Sequence, residues 1–333
     1  MFNFKNNYIS IDLGSVNTTV KYDETNNFLK EPTVVAYDFR LKKYIAAGTE
    51  AEKLVGRFPA SRININPFKA GSIYDYEALF YFVKTILEKF GRLDRLKVMI
   101  SLPYFPEQKI KERLKHDLLG LGVNEVYLDE EIHATAVYLE KRELLKVNHY
   151  LLVDIGANKS SLAIFDSNRI KVRLINSGSN TFNQKLKDKL FNDYGLILGD
   201  HNAEYIKRRF GSFEYNKKHK GKIKVKGIEY KTGLPIYLNI SQKLTEKISR
   251  DLLDELSFEI MKFIKKLPEN TQKYINKQGL VLSGGGSLLN DFSIALSEKT
   301  NLPVLTPPYP LDTVVIGGWD ELVQISTTKK KKK

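Results

Sequence analysis

The sequence predicts an α/β protein built from two related domains facing each other across a cleft, and two observations carry that reading. A β-rich run, a polar turn holding Asp-x-Gly and a second β-rich run open the chain at residues 8–22. The same pattern returns at 150–165, which sets Asp12 and Asp154 142 positions apart. Between and after these units, strand-like stretches alternate with stretches of helical periodicity, as layered α/β domains require. The length agrees, since 333 residues with 42% hydrophobic content suits about two domains with substantial cores.

Taken in order, the first unit reads as a hairpin, with Tyr8-Ile9-Ser10-Ile11-Asp12-Leu13 and Thr18-Thr19-Val20-Lys21-Tyr22 flanking the turn. Residues 76–90 form a helix, because Tyr76, Leu79, Phe80, Val83, Leu87 and Phe90 recur at three- and four-residue steps, and that stripe belongs in a core. Strands are expected at 97–102, 126–128 and 279–282. The Lys-rich stretch 215–230, with Gly211, Gly221 and Gly227 in and around it, reads as short strands and loops of a peripheral subdomain. A long helix over 241–265 carries Leu244, Ile248, Leu252, Leu256 and Ile260 on one face and closes at Leu267-Pro268. The strand at 279–282 then feeds Ser283-Gly284-Gly285-Gly286, a glycine-rich turn expected to open a helix. No short-period repeat is present.

Composition removes several classes of function. The chain has no cysteine, which excludes disulfides, thiolate nucleophiles and cysteine metal sites, and its five histidines show no pair at zinc-site spacing. No apolar stretch approaches the roughly 18 residues that span a bilayer, and the first residues lack a signal-peptide apolar region, so a cytosolic protein is expected. The net charge of +14 includes the terminal run Lys329, Lys330, Lys331, Lys332 and Lys333. Such a charge suits anionic partners in general, whether nucleotide, nucleic acid or phospholipid, and a biased genome explains it equally well.

The chemistry sits in the turns. One Asp-x-Gly hairpin is ordinary turn composition, but two suggest a pair of phosphate cradles, because a tight turn points consecutive backbone N–H groups into one concavity. Asp12 and Asp154 at the strand ends could hold a hydrated Mg²⁺, a hard cation that takes few carboxylates. Strand followed by glycine turn also brings backbone and a helix N-terminus beside a nucleotide. The segment is neither a Walker A nor a G-x-G-x-x-G motif, which disfavours P-loop and Rossmann assignments.

Over about nine-tenths of its length the chain resembles the MreB family of bacterial actin homologues, within the actin, Hsp70 and sugar-kinase superfamily. The resemblance rests on 11–18, Glu31-Pro32-Thr33-Val34-Val35-Ala36, 48–56, Pro67-Phe68-Lys69-Ala70-Gly71, 128–136, 153–156, 199–211, 225–235 and 280–318. Lys231-Thr232-Gly233-Leu234-Pro235 and the small inserted subdomains are the features particular to MreB. It implies an actin-like ATPase fold of four subdomains: IA at 1–31, 70–147 and 313–333, IB at 32–69, IIA at 148–182 and 246–312, and IIB at 183–245.

The resemblance also implies roles. Gly14, Ser15, Val16 and Asn17 form the first phosphate loop, and Gly156, Ala157 and Asn158 the second, with Asp12 and Asp154 serving Mg²⁺. Glu204 and Lys207 line the ribose and adenine pocket of ATP or ADP, opposite Gly284, Gly285 and Gly286. The alternative for Glu204 and Lys207 is an exposed i,i+3 ion pair. Glu131 matches the glutamate that orients the attacking water.

Two departures stand out. Glu130-Glu131-Ile132-His133-Ala134 replaces Glu-Glu-Pro-Met-Ala, and Gly156-Ala157-Asn158-Lys159-Ser160 replaces Gly-Gly-Gly-Thr-Thr. Asn158 tolerates a left-handed conformation, which preserves the loop path. Lys159 stands where relatives have a hydroxyl that helps hold water; it is expected to impair hydrolysis, unless it extends to solvent and Ser160 takes over the hydroxyl role. The resulting expectation is an ATP-binding, self-assembling cytoskeletal subunit with slow ATP hydrolysis at most. It would act in cell shape or motility in the cytoplasm at the inner face of the membrane, with other cytoskeletal proteins as further partners. The lysine tail would touch acidic lipid, the alternative being a solvated tail; Phe2 and Phe4 at the other end could insert, but the segment before Tyr8 is too short for an amphipathic helix. A DNA-segregation filament and a sugar-kinase-like phosphotransferase are the alternatives; no nucleic-acid module is evident, so no nucleic-acid partner is expected.

Overall fold

Alternation builds the first strand: Ile9, Ile11 and Leu13 are buried, and between them Asp12 reaches partly into solvent. The computed structural model describes residues 7–54, 61–103, 107–144, 149–166, 169–213 and 221–331. The chain begins with β1 (Tyr8–Leu13), β2 (Asn17–Lys21), β3 (Phe28–Pro32), β4 (Val35–Asp38), β5 (Lys43–Ala47), α1 (Thr49–Leu54) and β6 (Arg62–Ile65). Then come β7 (Phe68–Lys69), β8 (Ser72–Ile73), α2 (Tyr76–Glu88), β9 (Lys97–Leu102), α3 (Gln108–Gly120), β10 (Glu125–Glu130) and α4 (Glu131–Lys141). It continues through β11 (His149–Ile155), β12 (Ser160–Asp166), β13 (Arg169–Ile175), α5 (Asn180–Tyr194), β14 (Leu196–Ile197), α6 (Asp200–Phe210), β15 (Lys222–Glu229) and β16 (Pro235–Ser241). The last elements are α7 (Gln242–Ile264), α8 (Glu269–Gln278), β17 (Leu280–Ser283), α9 (Phe292–Thr300), β18 (Val304–Leu305) and α10 (Thr313–Lys331). Contacts divide the chain into two units, 1–146 with 312–333, and 147–311.

Each unit is organised on a five-stranded sheet of the same design. In the first the order is β10-β9-β1-β2-β3, and in the second it is β18-β17-β11-β12-β13. The hairpin strands pair antiparallel, β1 with β2 and β11 with β12, and each runs on antiparallel to a third strand. On the other side β1 pairs in parallel with β9 and β11 with β17, followed by parallel β10 and β18. The register places Asp12 opposite Ser101 and Asp154 opposite Ser283. The duplication suggested by two Asp-x-Gly turns is thus a duplication of a whole sheet.

The helical readings hold with small changes. In α2 the positions Leu79, Val83 and Leu87 are buried, with Phe90 just beyond; Tyr76 and Phe80 are only partly covered, and Ala78, Phe82 and Ile86 complete the face. Asp75 caps this helix by accepting from the Ala78 amide at 2.9 Å. Helix α7 buries Ile248, Leu252, Leu256 and Ile260, while Leu244 is partly buried against the same core.

Three expectations change. The Lys-rich stretch contains one long strand, β15, in which Ile223 and Val225 face inward and Lys222, Lys224 and Lys226 outward, paired over seven positions with β16; residues 215–220 lie outside the described residues. After the glycine turn comes a short 3-10 turn, Gly285–Leu288, and α9 starts only at Phe292. No α-helix N-terminus therefore follows Gly286 directly. The lysine run, expected as a tail, continues α10 as far as Lys331, and Lys329 is held by Glu125 at 3.0 Å and by the Tyr127 hydroxyl at 2.7 Å. Lys332, Lys333, Phe2 and Phe4 lie outside the described residues.

Candidate nucleotide-binding elements

The first turn is held by its carbonyls. Thr33 donates its hydroxyl to the Gly14 carbonyl at 2.7 Å and its amide to that of Val16 at 2.8 Å, and Asn66 donates to the Ser15 carbonyl at 2.9 Å. Thr18 meets the Thr33 hydroxyl at 2.9 Å. In a planar trans peptide the N–H points opposite the C=O, so fixing three carbonyls turns the amides of Ser15, Val16 and Asn17 the other way, in the manner of an anion cradle. A Cβ on Gly14 would fall 2.5 Å from the Asn17 carbonyl oxygen, which explains the glycine. Thr33 and Asn66 were not singled out in the sequence; their role depends on chain segments that meet only in the fold. Glu31, two residues before Thr33, takes the Thr49 amide at 2.7 Å and so fixes the start of α1.

The second turn repeats the device with different parts. The Ser179 amide donates to the Gly156 carbonyl at 3.0 Å and the Asn180 amide to that of Ala157 at 2.8 Å, which turns the Ala157 and Asn158 amides outward. Gly178 permits this approach, since a Cβ there would lie 2.6 Å from the Ala157 carbonyl oxygen. Asn158 keeps a negative φ, so the left-handed conformation expected of it is not used; the carbonyl clamps set the path instead. Ser160 is buried and donates its hydroxyl to the Ser177 carbonyl at 2.7 Å, so its one proton is committed to the fold.

Asp154 ends in a demanding position. Part of the residue reaches the surface, yet its Oδ2 is closed off and has no hydrogen-bond partner. The atom-level closure is what matters for its charge: burial pushes the carboxyl up to about 6 against a hydrogen bond with Ser283 that lowers it. An unsatisfied buried carboxylate oxygen fits the need for a cation. Gly284, at φ +82°, packs where a Cβ would lie 2.8 Å from Asp154 Oδ1, and a Cβ on Gly286 would lie 2.2 Å from Ile155 Cγ2. The glycines thus lie against the end of β11, and Gly285 faces Leu311.

Glu204 and Lys207 do not form the exposed pair of the alternative reading. Lys207 is 4% exposed and its ammonium sits 2.7 Å from Glu204 Oε2, which also accepts from Asn183 at 2.9 Å, while Oε1 accepts from Arg208 at 2.8 Å. Asn183 in turn donates to Asn180 at 3.3 Å, and Asn180 to Asn158 at 3.1 Å. A polar relay therefore links the second turn to Glu204 through α5, a connection with no sequence signature. Burial alone pushes the Glu204 carboxyl up, but the bonds from Lys207, Asn183 and Arg208 outweigh it and hold it at about 2. Burial lowers Lys207, and Glu204 opposes the shift.

Glu131 starts α4 directly after β10, two strands from β1 in the same sheet, and is half-buried. Lys111 holds the preceding Glu130 at 2.9 Å, and Ile132, in place of proline, is buried in the unit. Asp12, the first turn and Glu131 thus belong to one unit. Asp154, the second turn, Lys159, Glu204, Lys207 and the glycines belong to the other.

The model for MreB/Mbl protein matches residues 6–330. This chain belongs to the MreB/Mbl family. Among its curated relatives are the cell shape-determining protein MreB of Pasteurella multocida (strain Pm70), 30% identical with 96% of this chain and 93% of that one covered, and Mbl of Bacillus subtilis (strain 168), 27% identical with 97% and 98% covered. Among solved structures it is similar to MreB 5 of Spiroplasma citri bound to AMPPNP, with a TM-score of 0.85, 22% identity and 99% of both chains covered. It is also similar to the MamK double helical filament, with a TM-score of 0.75, 15% identity and 96% and 98% covered. The MreB/Mbl chain therefore has the actin-like fold, with the duplicated five-stranded sheet as its frame.

Proposed function

We propose that this MreB/Mbl chain is an ATP-binding subunit that polymerises into cytoskeletal filaments. The observation that carries the reading is the repeated arrangement in the two units. In each, an aspartate faces a serine across a parallel strand pair, and the adjoining turn has its carbonyls clamped and its amides turned outward. Each unit supplies one turn to the phosphates of ATP or ADP, and Glu204 and Lys207 take the ribose and base side, with Gly284, Gly285 and Gly286 as the close-packed floor. Asp12 and Asp154 hold Mg²⁺, which supplies positive charge to neutralise the phosphates. Glu131 orients water, and Lys159 in the place of a hydroxyl keeps hydrolysis slow.

Support comes from similar proteins as well: the Spiroplasma citri MreB 5 structures contain AMPPNP and ADP, and the MamK structure is a filament. Residues 32–69 and 183–245 are assigned as the inserted subdomains IB and IIB. Head-to-tail contacts that do not close into a ring generate such a polymer. We assign a contact with acidic lipid to the end of α10, although Lys329 is engaged with Glu125, and place the filament at the inner face of the cell membrane.

Sedimentation of the chain with Mg²⁺-ATP, alone and with acidic liposomes or DNA, tests these claims together. Pelleting with ATP is expected in all arms. Co-pelleting of liposomes should be lost when the five lysines are removed, and a protein that stays in the supernatant across nucleotide, salt and protein concentrations contradicts polymerisation. ATP-dependent capture of DNA but not of liposomes would instead favour a segregation filament.

A further inference from the structure

The most concentrated set of metal-ligating side chains among the described residues lies away from the phosphate turns, where β10, α4 and α10 meet. Asp129 stands near the end of β10, His133 follows four residues later in the first turn of α4, and Glu321 lies in the middle of α10. One glycine brings them together. A Cβ on Gly317 would fall 1.8 Å from the Ala134 carbonyl oxygen, so at this point α10 lies directly on the backbone of α4. Glu321 is one turn further along the same face of α10, and Ala134 is the neighbour of His133, so the close approach delivers the Glu321 carboxylate to the imidazole.

The resulting distances suit a small cation. His133 Nδ1 shares a hydrogen bond with Asp129 Oδ2 at 2.9 Å, whose proton a metal ion would displace, and lies 3.8 Å from Glu321 Oε2; one ligand atom from each of the three residues lies within 4.8 Å of the others. A tetrahedral ion with bonds of about 2.0–2.2 Å separates its ligands by roughly 3.3–3.6 Å, between the two measured values. Glu321 Oε2 is shut off from solvent and makes no hydrogen bond of good geometry, the carboxyl lying against that of Asp129, although the side chain as a whole is 22% exposed. Neighbouring cations among the described residues are committed elsewhere, Lys111 of α3 to Glu130 at 2.9 Å, and Lys141 and Arg142 at the end of α4 to Asp320 at 2.8 and 2.7 Å. Two carboxylates therefore converge with one imidazole and with no Lys or Arg paired to either among the described residues.

We propose that Asp129, His133 and Glu321 form a binding site for a divalent first-row transition ion of the zinc type, with the remaining coordination position open to water. The imidazole decides the class of ion. Mg²⁺ and Ca²⁺ prefer oxygen donors alone, whereas one nitrogen and two carboxylates suit Zn²⁺ and Co²⁺. The bound ion ties β10, α4 and α10 together at the root of the helix that begins with Glu131. Nothing in the spacing 129, 133 and 321 shows this in the sequence, since the third ligand arrives from the far end of the chain.

The test uses the full chain after treatment with a chelator. Calorimetric titration with ZnCl₂ should show one equivalent bound, CoCl₂ should give visible d–d bands, and excess Mg²⁺ should not compete. Loss of an outer-shell partner alone costs metal sites about 10–100-fold, so His133→Gln and Glu321→Gln should each weaken zinc by at least about tenfold. His116→Gln is the control, because His116 is exposed and among the described residues its carboxylate contact is Asp117, at 3.1 Å, and it should bind zinc like the parent. Zinc should raise the thermal midpoint of the parent and of His116→Gln and leave the other two unchanged. A parent without a one-equivalent site overturns the proposal, as does binding that survives unaltered in His133→Gln and Glu321→Gln or that Mg²⁺ displaces.

Discussion

In the proposed reading Lys159 brings an ammonium to the place of a hydroxyl beside the second turn, and the neighbouring Ser160 already spends its one proton on the Ser177 carbonyl. A charge that binds ground-state ATP as tightly as the transition state does not accelerate hydrolysis. Lys159→Thr should therefore raise the rate of phosphate release without tightening nucleotide binding, and a parent already as fast as that variant contradicts the role. At Glu204 the sign of the pH effect follows from a carboxyl held at about 2, well below its ordinary 4.5. Its stabilisation is complete above the ordinary value and is lost as the pH falls from about 4.5 towards 2. Urea unfolding should show a smaller loss of stability between about pH 5 and pH 3 for Glu204→Gln than for the parent. Sequence alone points to Asp12, Asp154 and Glu204 because their residue types stand out in matched motifs. It does not point to Thr33, Asn66, Asn180 or Asn183, which are common polar residues whose value comes from the turns they meet in space.

At the level of elements, the glycine turn after β17 is a packing device. Gly286 has an ordinary backbone, so the cost of a side chain there is purely steric, a collision with Ile155 at the end of β11. Gly286→Ala should destabilise the chain by about 1–3 kcal/mol in urea unfolding, as overpacking does, and adding Ile155→Ala should cost less than the sum of the two single changes. Additive costs would show that the collision is relieved elsewhere. Periodicity made α2, α7 and β9 legible, since their apolar spacing is local. The glycine turn misled because strand, glycines and a later apolar run look alike whether the next residues form an α-helix or the 3-10 turn Gly285–Leu288. The Lys-rich stretch misled for another reason: its composition masked the alternation of Lys222, Lys224 and Lys226 with Ile223 and Val225 that marks β15.

For the whole molecule, the duplication was visible in two Asp-x-Gly turns, but the shared five-strand order was not. Pairing β1 with β9 and β11 with β17 joins residues far apart in sequence, and no local signal encodes such partners. The two sheets place Asp12 and Asp154 at equivalent points, each across from a serine, and on that equivalence the proposed nucleotide chemistry depends. Calorimetry of Mg²⁺-ATP binding to the parent and to Asp154→Ala tests it most directly. The parent should bind one equivalent only when Mg²⁺ is present. Asp154→Ala should bind about 10–150-fold more weakly, the range expected when one charge-assisted contact of about 1.5–3 kcal/mol is removed. Equal binding by the two proteins, or no binding by the parent, would contradict the account.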